Sequence, residues 1–247
     1  MKYIFILSLL SFISIGSFAK DDVSKKQELF ITKLINQQTK QQISVRKSIS
    51  SILTRYPEQI DKVLSVALTL HPDKYKQIML GALDAEPVHA CNVIEHFLNE
   101  DVASSSELVK IVVEAEPAYA QEILNTAALH DPENMEQLVR VTIQTEPLHP
   151  KAILSNTMIS FPDRMVDILS GLIKAIPEQV SKWVSYTFIL FPDSGEQIVT
   201  TAISSTNEKH NQDIIKAAIA AGLEKDLVLS AAVNGGAELA SIPQESK

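Results

Sequence analysis

Residues 161–199 read FPDRMVDILSGLIKAIPEQVSKWVSYTFILFPDSGEQIV, and within them Pro162, Pro177 and Pro192 stand fifteen residues apart. The interval runs through most of the chain. Nine of the eleven prolines, from Pro57 to Pro192, share this register, and only position 102 is skipped. There the chain reads SSSE, so Ser104 and Glu107 are placed to form a capping box, which starts a helix without proline.

Counting from each proline or its equivalent, the seventh residue is apolar in all eleven registers from Gln42 to Pro192, for example Ile49, Leu64, Met79 and Leu169. The eleventh is apolar as well, and the sixth departs only at Ser48. The tenth is Ala, Thr or a larger apolar residue. Positions 6, 7, 10 and 11 fall on one stripe of an α-helix and would scatter over both faces of a strand. Proline suits a first helical position because its missing N–H has no intrahelical partner there, and it biases the residue before it away from helix. An acid follows it in Glu58, Asp73, Glu133, Asp163, Glu178 and Asp193, where a carboxylate meets the positive end of the helix dipole. The expectation is a helix of about twelve residues, roughly 18 Å at 1.5 Å per residue, and a turn of two or three residues. Sequential helices then pack antiparallel.

A weaker alternation doubles the unit to thirty residues. Three prolines of one class follow a glutamate, Glu86, Glu116 or Glu146. The fold class expected is therefore all-α: an α-solenoid, a right-handed superhelix of short antiparallel αα-hairpins with a 15-residue helix period and a 30-residue unit. At the level of fold class this resembles tetratricopeptide and HEAT arrays. Their longer periods and the tetratricopeptide Trp/Leu/Gly/Tyr pattern are absent, so no functional residues carry over.

Residues 1–19, MKYIFILSLLSFISIGSFA, combine an early lysine, an apolar run and small residues at Ser17 and Ala19, the pattern of a cleavable secretory signal peptide. Residues 20–234 are then a single repeat domain: N-terminal capping helices over 20–56, core repeats over 57–206 and a C-terminal cap over 207–234. A capping helix is expected around Val23 to Gln38 and a second from Ile43 to Arg55. Near Glu208 the phase slips by one residue, as terminal repeats often do. Residues 235–247 read as a mobile tail. A periplasmic or secreted location follows, with no lipid-attachment cysteine after the cleavage site and no stable membrane insertion once the signal is removed.

The formal net charge of −8 argues against nucleic acid as a partner. Cys91 is the only cysteine, which rules out an internal disulfide. Zinc-protease, phosphate-loop, nucleophile-elbow and paired-cysteine motifs are missing, so neither catalytic residues, cofactor nor metal are assigned. Histidines at equivalent positions lie two units apart, too far to share an ion. The candidate partner-contact surface is a ridge of Glu86, His89, Glu116, Tyr119, Glu146 and His149, each glutamate preceding a proline and each ring three residues later. The competing explanation is that each glutamate caps its own helix. The function expected is non-catalytic binding or scaffolding of a protein or peptide. A carrier of a small or lipidic ligand in the superhelix interior is the second reading, and an enzyme with an unrecognised site the third.

Overall fold

The computed structural model of the chain describes residues 16–238. The expected signal peptide lies outside them except for 16–19, and the expected tail except for 235–238. Every regular element described is helical. The first seven helices are α1 (Gly16–Lys40), α2 (Val45–Arg55), α3 (Ile60–Leu70), α4 (Tyr75–Ala85), α5 (Ala90–Asn99), α6 (Ser105–Ala115) and α7 (Ala120–His130). Then follow α8 (Met135–Thr145), α9 (Pro150–Ser160), α10 (Met165–Ala175), α11 (Val180–Leu190), α12 (Gly195–Ser204), α13 (Asn211–Ala220) and α14 (Lys225–Asn234). Ten of these lie between Pro57 and Ser205, as the register predicts. The first is longer than expected and runs across Ala19. No helix among the described residues is long and apolar enough to cross a membrane.

The prolines work differently from the expectation of a first α-helical residue. Each of Pro57, Pro72, Pro87, Pro117, Pro132, Pro162, Pro177 and Pro192 opens a three-residue 3-10 turn, and the α-helix begins after it. Between one helix and the next turn there is a single non-helical residue, such as Tyr56 at φ −135° or Phe161 at φ −132°. That residue is bonded both ways. The Phe161 N–H donates to the Thr157 carbonyl at 2.8 Å, and its own carbonyl accepts from the Arg164 N–H at 3.0 Å. The exposed ends of two helices are thus satisfied by one residue, which is why no longer turn is needed.

At three of the positions where the register lacks proline a left-handed residue breaks the chain instead, Gln42 at φ 61°, Asp101 at φ 50° and Gly222 at φ 101°, while at the fourth Asn207 is extended at φ −98°. At Gln42 the Ile43 N–H reaches the Gln38 carbonyl at 3.1 Å and the Gln42 N–H the Thr39 carbonyl at 3.0 Å, a Schellman ending. Gly222 ends α13 the same way. The predicted capping box at Ser104 is half formed. Ser104 Oγ accepts from the Glu107 N–H at 3.3 Å, but the Glu107 carboxylate turns away to Tyr75 Oη at 2.8 Å and Lys76 Nζ at 2.7 Å on α4.

The four apolar columns form the core. In α10 they are Ile168, Leu169, Leu172 and Ile173, all buried; in α3, Val63, Leu64, Ala67 and Leu68. Each fully buried aliphatic side chain contributes on the order of 1.5–3 kcal/mol. The threonines tolerated in the tenth column are buried because each hydroxyl donates to the carbonyl one turn back, as Thr142 does to Leu138 at 2.8 Å and Thr187 to Trp183 at 2.9 Å.

Most helices pack on their sequence neighbours and on the helix two further along, so odd- and even-numbered helices form two layers; α9 makes little contact with α8 and α11, and α3 little with α5. Within the even layer the approach is closest between α2 and α4 and between α8 and α10. Gly81 and Gly171, both ninth after their prolines, explain this. A Cβ on Gly81 would stand 2.5 Å from the Arg46 carbonyl oxygen, and one on Gly171 2.4 Å from that of Glu136. The same position is Ile111 on α6, which packs much less closely on α4. One side chain at position 9 thus sets how near two even helices come.

Candidate partner-binding surface

The predicted ridge residues lie on the edge where even helices hand over to odd ones. Glu86 and Glu116 are the single linking residues at φ −149° and −132°, and His89 and Tyr119 close the 3-10 turns that follow. The His89 N–H donates to the Glu86 carbonyl, and the Tyr119 N–H to the Glu116 carbonyl, both at 3.0 Å. These backbone bonds hold the two backbone positions at one separation in the first two units.

The glutamates differ in what their carboxylates do. Glu86 and Glu116 make no side-chain cap. Glu146 is buried, and its Oε1 accepts from the Leu148 N–H at 3.2 Å, ahead of the helix, and lies 3.1 Å from His149 Nδ1, but α9 has no side-chain cap. The capping explanation therefore holds in none of the three units.

This third unit is also built differently. No 3-10 turn forms at Pro147, the break widens to residues 146–149, and the out-of-register Pro150 takes the first position of α9. With the longer break, α9 sits loosely in its layer. A groove of about 500 Å³ opens between the starts of α7 and α9, lined by Gln121, Glu146, Leu148, His149, Ala152 and Asn156.

Sequence reasoning missed the residue between each glutamate and ring. Val88 is 62% exposed and Leu148 78%, with Ala118 exposed between them. The signal was available: EPVH, EPAY and EPLH recur at 86–89, 116–119 and 146–149, while the flanking units read YPEQ and IPEQ. An apolar side chain beside a carboxylate and a ring makes a surface that can accept hydrogen bonds and cover apolar area together.

A second groove, about 730 Å³, crosses the even layer and is lined by Lys76, Leu80, Lys110, Ile111, Glu114 and Val141. It exists because Ile111 keeps α6 away from α4. Its charges are largely matched: Lys76 pairs with Glu107 at 2.7 Å and Lys110 with Glu114 at 3.8 Å. Hydrogen bonds from Lys76 and then Tyr75 hold the Glu107 carboxyl below its ordinary value.

Cys91 is half-buried on α5, and burial pushes its thiol up, away from the nucleophilic thiolate form. Among the described residues no three His, Cys, Asp or Glu side chains gather closely enough to hold a metal ion.

The class defined by this architecture is an all-helical protein of repeated short helices. No family model matches the chain, and no characterised protein or solved structure is significantly similar to it.

Proposed function

We propose that this chain is a right-handed α-solenoid that binds a protein or peptide without catalysis, through the edge carrying Glu86, His89, Glu116, Tyr119, Glu146 and His149. The observation that carries this reading is the threefold recurrence of glutamate, exposed apolar residue and ring at one spacing, ending at the groove between α7 and α9. A repeated surface of this kind suits an extended partner, because each unit offers the same contact one step further on. The filled space between the layers, where Ile78, Met79, Leu138 and Ile168 are fully buried, favours it over a carrier of an interior ligand. The signal-peptide pattern at 1–19 points to a periplasmic or secreted setting.

The test is a photo-crosslinking residue placed in turn at Val88, Ala118 and Leu148, with Asp193 on the opposite edge as control, in the exported protein. Adducts with one polypeptide at the first three positions are expected. Equal labelling at Asp193, or none at the ridge, overturns the reading. The N-terminal sequence of the same exported protein should begin at Lys20.

A further inference from the structure

On the outer face of the odd layer, the twelfth residue after the register proline is aliphatic in three successive helices. Leu129 on α7 is 74% exposed, Ile159 on α9 68% and Ile189 on α11 74%. In the preceding odd helices the same position is polar, Thr69 and Asn99. Closely packed helices lie about 8–10 Å apart and α9 packs more loosely than that on α7 and α11, so the three side chains form a row of at least roughly 20 Å. Between Pro150 and Ser160 the central helix carries one charge, Lys151, which lies 4.6 Å from the Tyr186 ring centroid. The rest of its outer face is Ala152, Ser155, Asn156, Ile159 and Ser160. Exposed aliphatics with few charges are the composition of an interface centre rather than of a solvated face.

Two turns nearer the helix starts, position 5 carries Glu122 on α7, Ala152 on α9 and Lys182 on α11. Neither Glu122 nor Lys182 is in an ion pair within the described residues. The sequence of charges along this row is negative, neutral, positive. A two-fold axis running along α9 sets α7 of one copy against α11 of the other with their helices parallel. Equal positions then face each other: Leu129 meets Ile189 of the second copy, Ile159 meets itself, and Glu122 meets Lys182 in both directions. The aliphatic row is symmetric about its centre and the charge row antisymmetric, which is the pattern an isologous contact requires.

We propose that the outer face of α7, α9 and α11 is the interface of a homodimer with its two-fold axis along α9. It adjoins the partner edge and shares Glu122, Ala152 and Asn156 with the groove between α7 and α9, but its aliphatic row lies at the far ends of the helices, so self-association and partner crosslinking at Val88, Ala118 and Leu148 are read separately. The patch spans three short helices, and its size is that of a weak, concentration-dependent contact.

Sedimentation equilibrium of the purified chain over roughly 1 to 300 micromolar brackets the affinity of a contact of this size. Dimers are expected there. Ile159→Ser, at the axis, should weaken them about tenfold or more, since two buried isoleucines are lost from one contact. Lys182→Glu should weaken them too, by setting the introduced glutamate against Glu122 of the other copy. Combining it with Glu122→Lys should restore most of the loss. All these positions are exposed, so far-UV circular dichroism should stay unchanged. A wild-type chain that is monomeric throughout, or an Ile159→Ser chain that dimerises normally, overturns the proposal. So does a double charge swap no better than the single one, since only this axis pairs position 5 of α7 with position 5 of α11.

Discussion

The even and odd layers share one buried pattern and differ in how they are tied together. Even helices are bracketed to each other at nearly every step. Arg46 grips Asp84 with two bonds of 2.6 and 2.7 Å, Glu136 takes Ser170 and Lys174 at 2.8 Å, Ser105 donates to Asp131, and Ser205 to Ser170. The odd layer has fewer ties: Lys62 to Gln27, Ser65 to His96 at 3.5 Å, Gln121 to Thr157 at 3.1 Å, Lys209 to Glu178 at 2.8 Å and the Lys151–Tyr186 ring contact. Two layers of equal core thus differ in lateral contact, and that difference is written outside the four apolar columns, in position 9 and in the polar brackets.

The largest effect tests what the layers have in common. Leu169→Asp in α10 and Ile153→Asp in α9 each bury an unpaired charge and should cost about 3–5 kcal/mol alike, measured by urea unfolding. A clearly smaller loss in α9 would mean that the odd layer yields where the even one does not. Next comes the feature that separates them. Gly171→Ala drives a Cβ into the Glu136 carbonyl and should cost about 1–3 kcal/mol, whereas Asn156→Ala at the same position of α9 should stay within about 0.5 kcal/mol. Equal losses would remove position 9 as the determinant of spacing.

Acid should sharpen the contrast. The Arg46 hydrogen bond holds Asp84 below its ordinary value, those from Ser105 and Asn134 do so for Asp131, and for Glu136 burial pushes upward but is outweighed by Lys174 and Ser170. A depressed carboxylate adds stability above its unfolded pKa, and that stability is lost as pH falls through the folded value. Below about pH 4, where free carboxylates protonate, protection against amide exchange should fall first in the even helices α4, α8 and α10.

Pro132→Ala should lower stability by only about 0.4–1 kcal/mol, because the 3-10 turn keeps its backbone bonds without the ring; a thermal melt of this variant should lie far above that of Leu169→Asp. Smallest of all, a double-mutant cycle on Arg46 and Asp84 should return a coupling of about 0.2–1 kcal/mol, as half-exposed pairs do.

The columns at positions 6, 7, 10 and 11 were legible because burial on one helix stripe repeats with the chain's own period, and the number and order of helices followed. The 3-10 turns were not, since a proline that begins a turn and one that begins an α-helix leave the same mark in sequence. Glu107 also misled: its spacing from Ser104 is that of a capping box, but a cation and a phenol on the neighbouring helix bind its carboxylate better than a backbone N–H does. At the ridge the glutamates and rings could be read from spacing. The groove beside Glu146 could not, because it follows from a helix start that moved by three residues to Pro150.

The side-chain bridges described between helices span no more than 38 residues of chain, as from Arg46 to Asp84 or Glu136 to Lys174. Such wiring gives the molecule a low contact order, and helix pairs can assemble within microseconds to milliseconds without waiting for distant partners. Under tension applied at its two ends, the same wiring means the chain unzips from its termini in steps of one hairpin instead of rupturing at once.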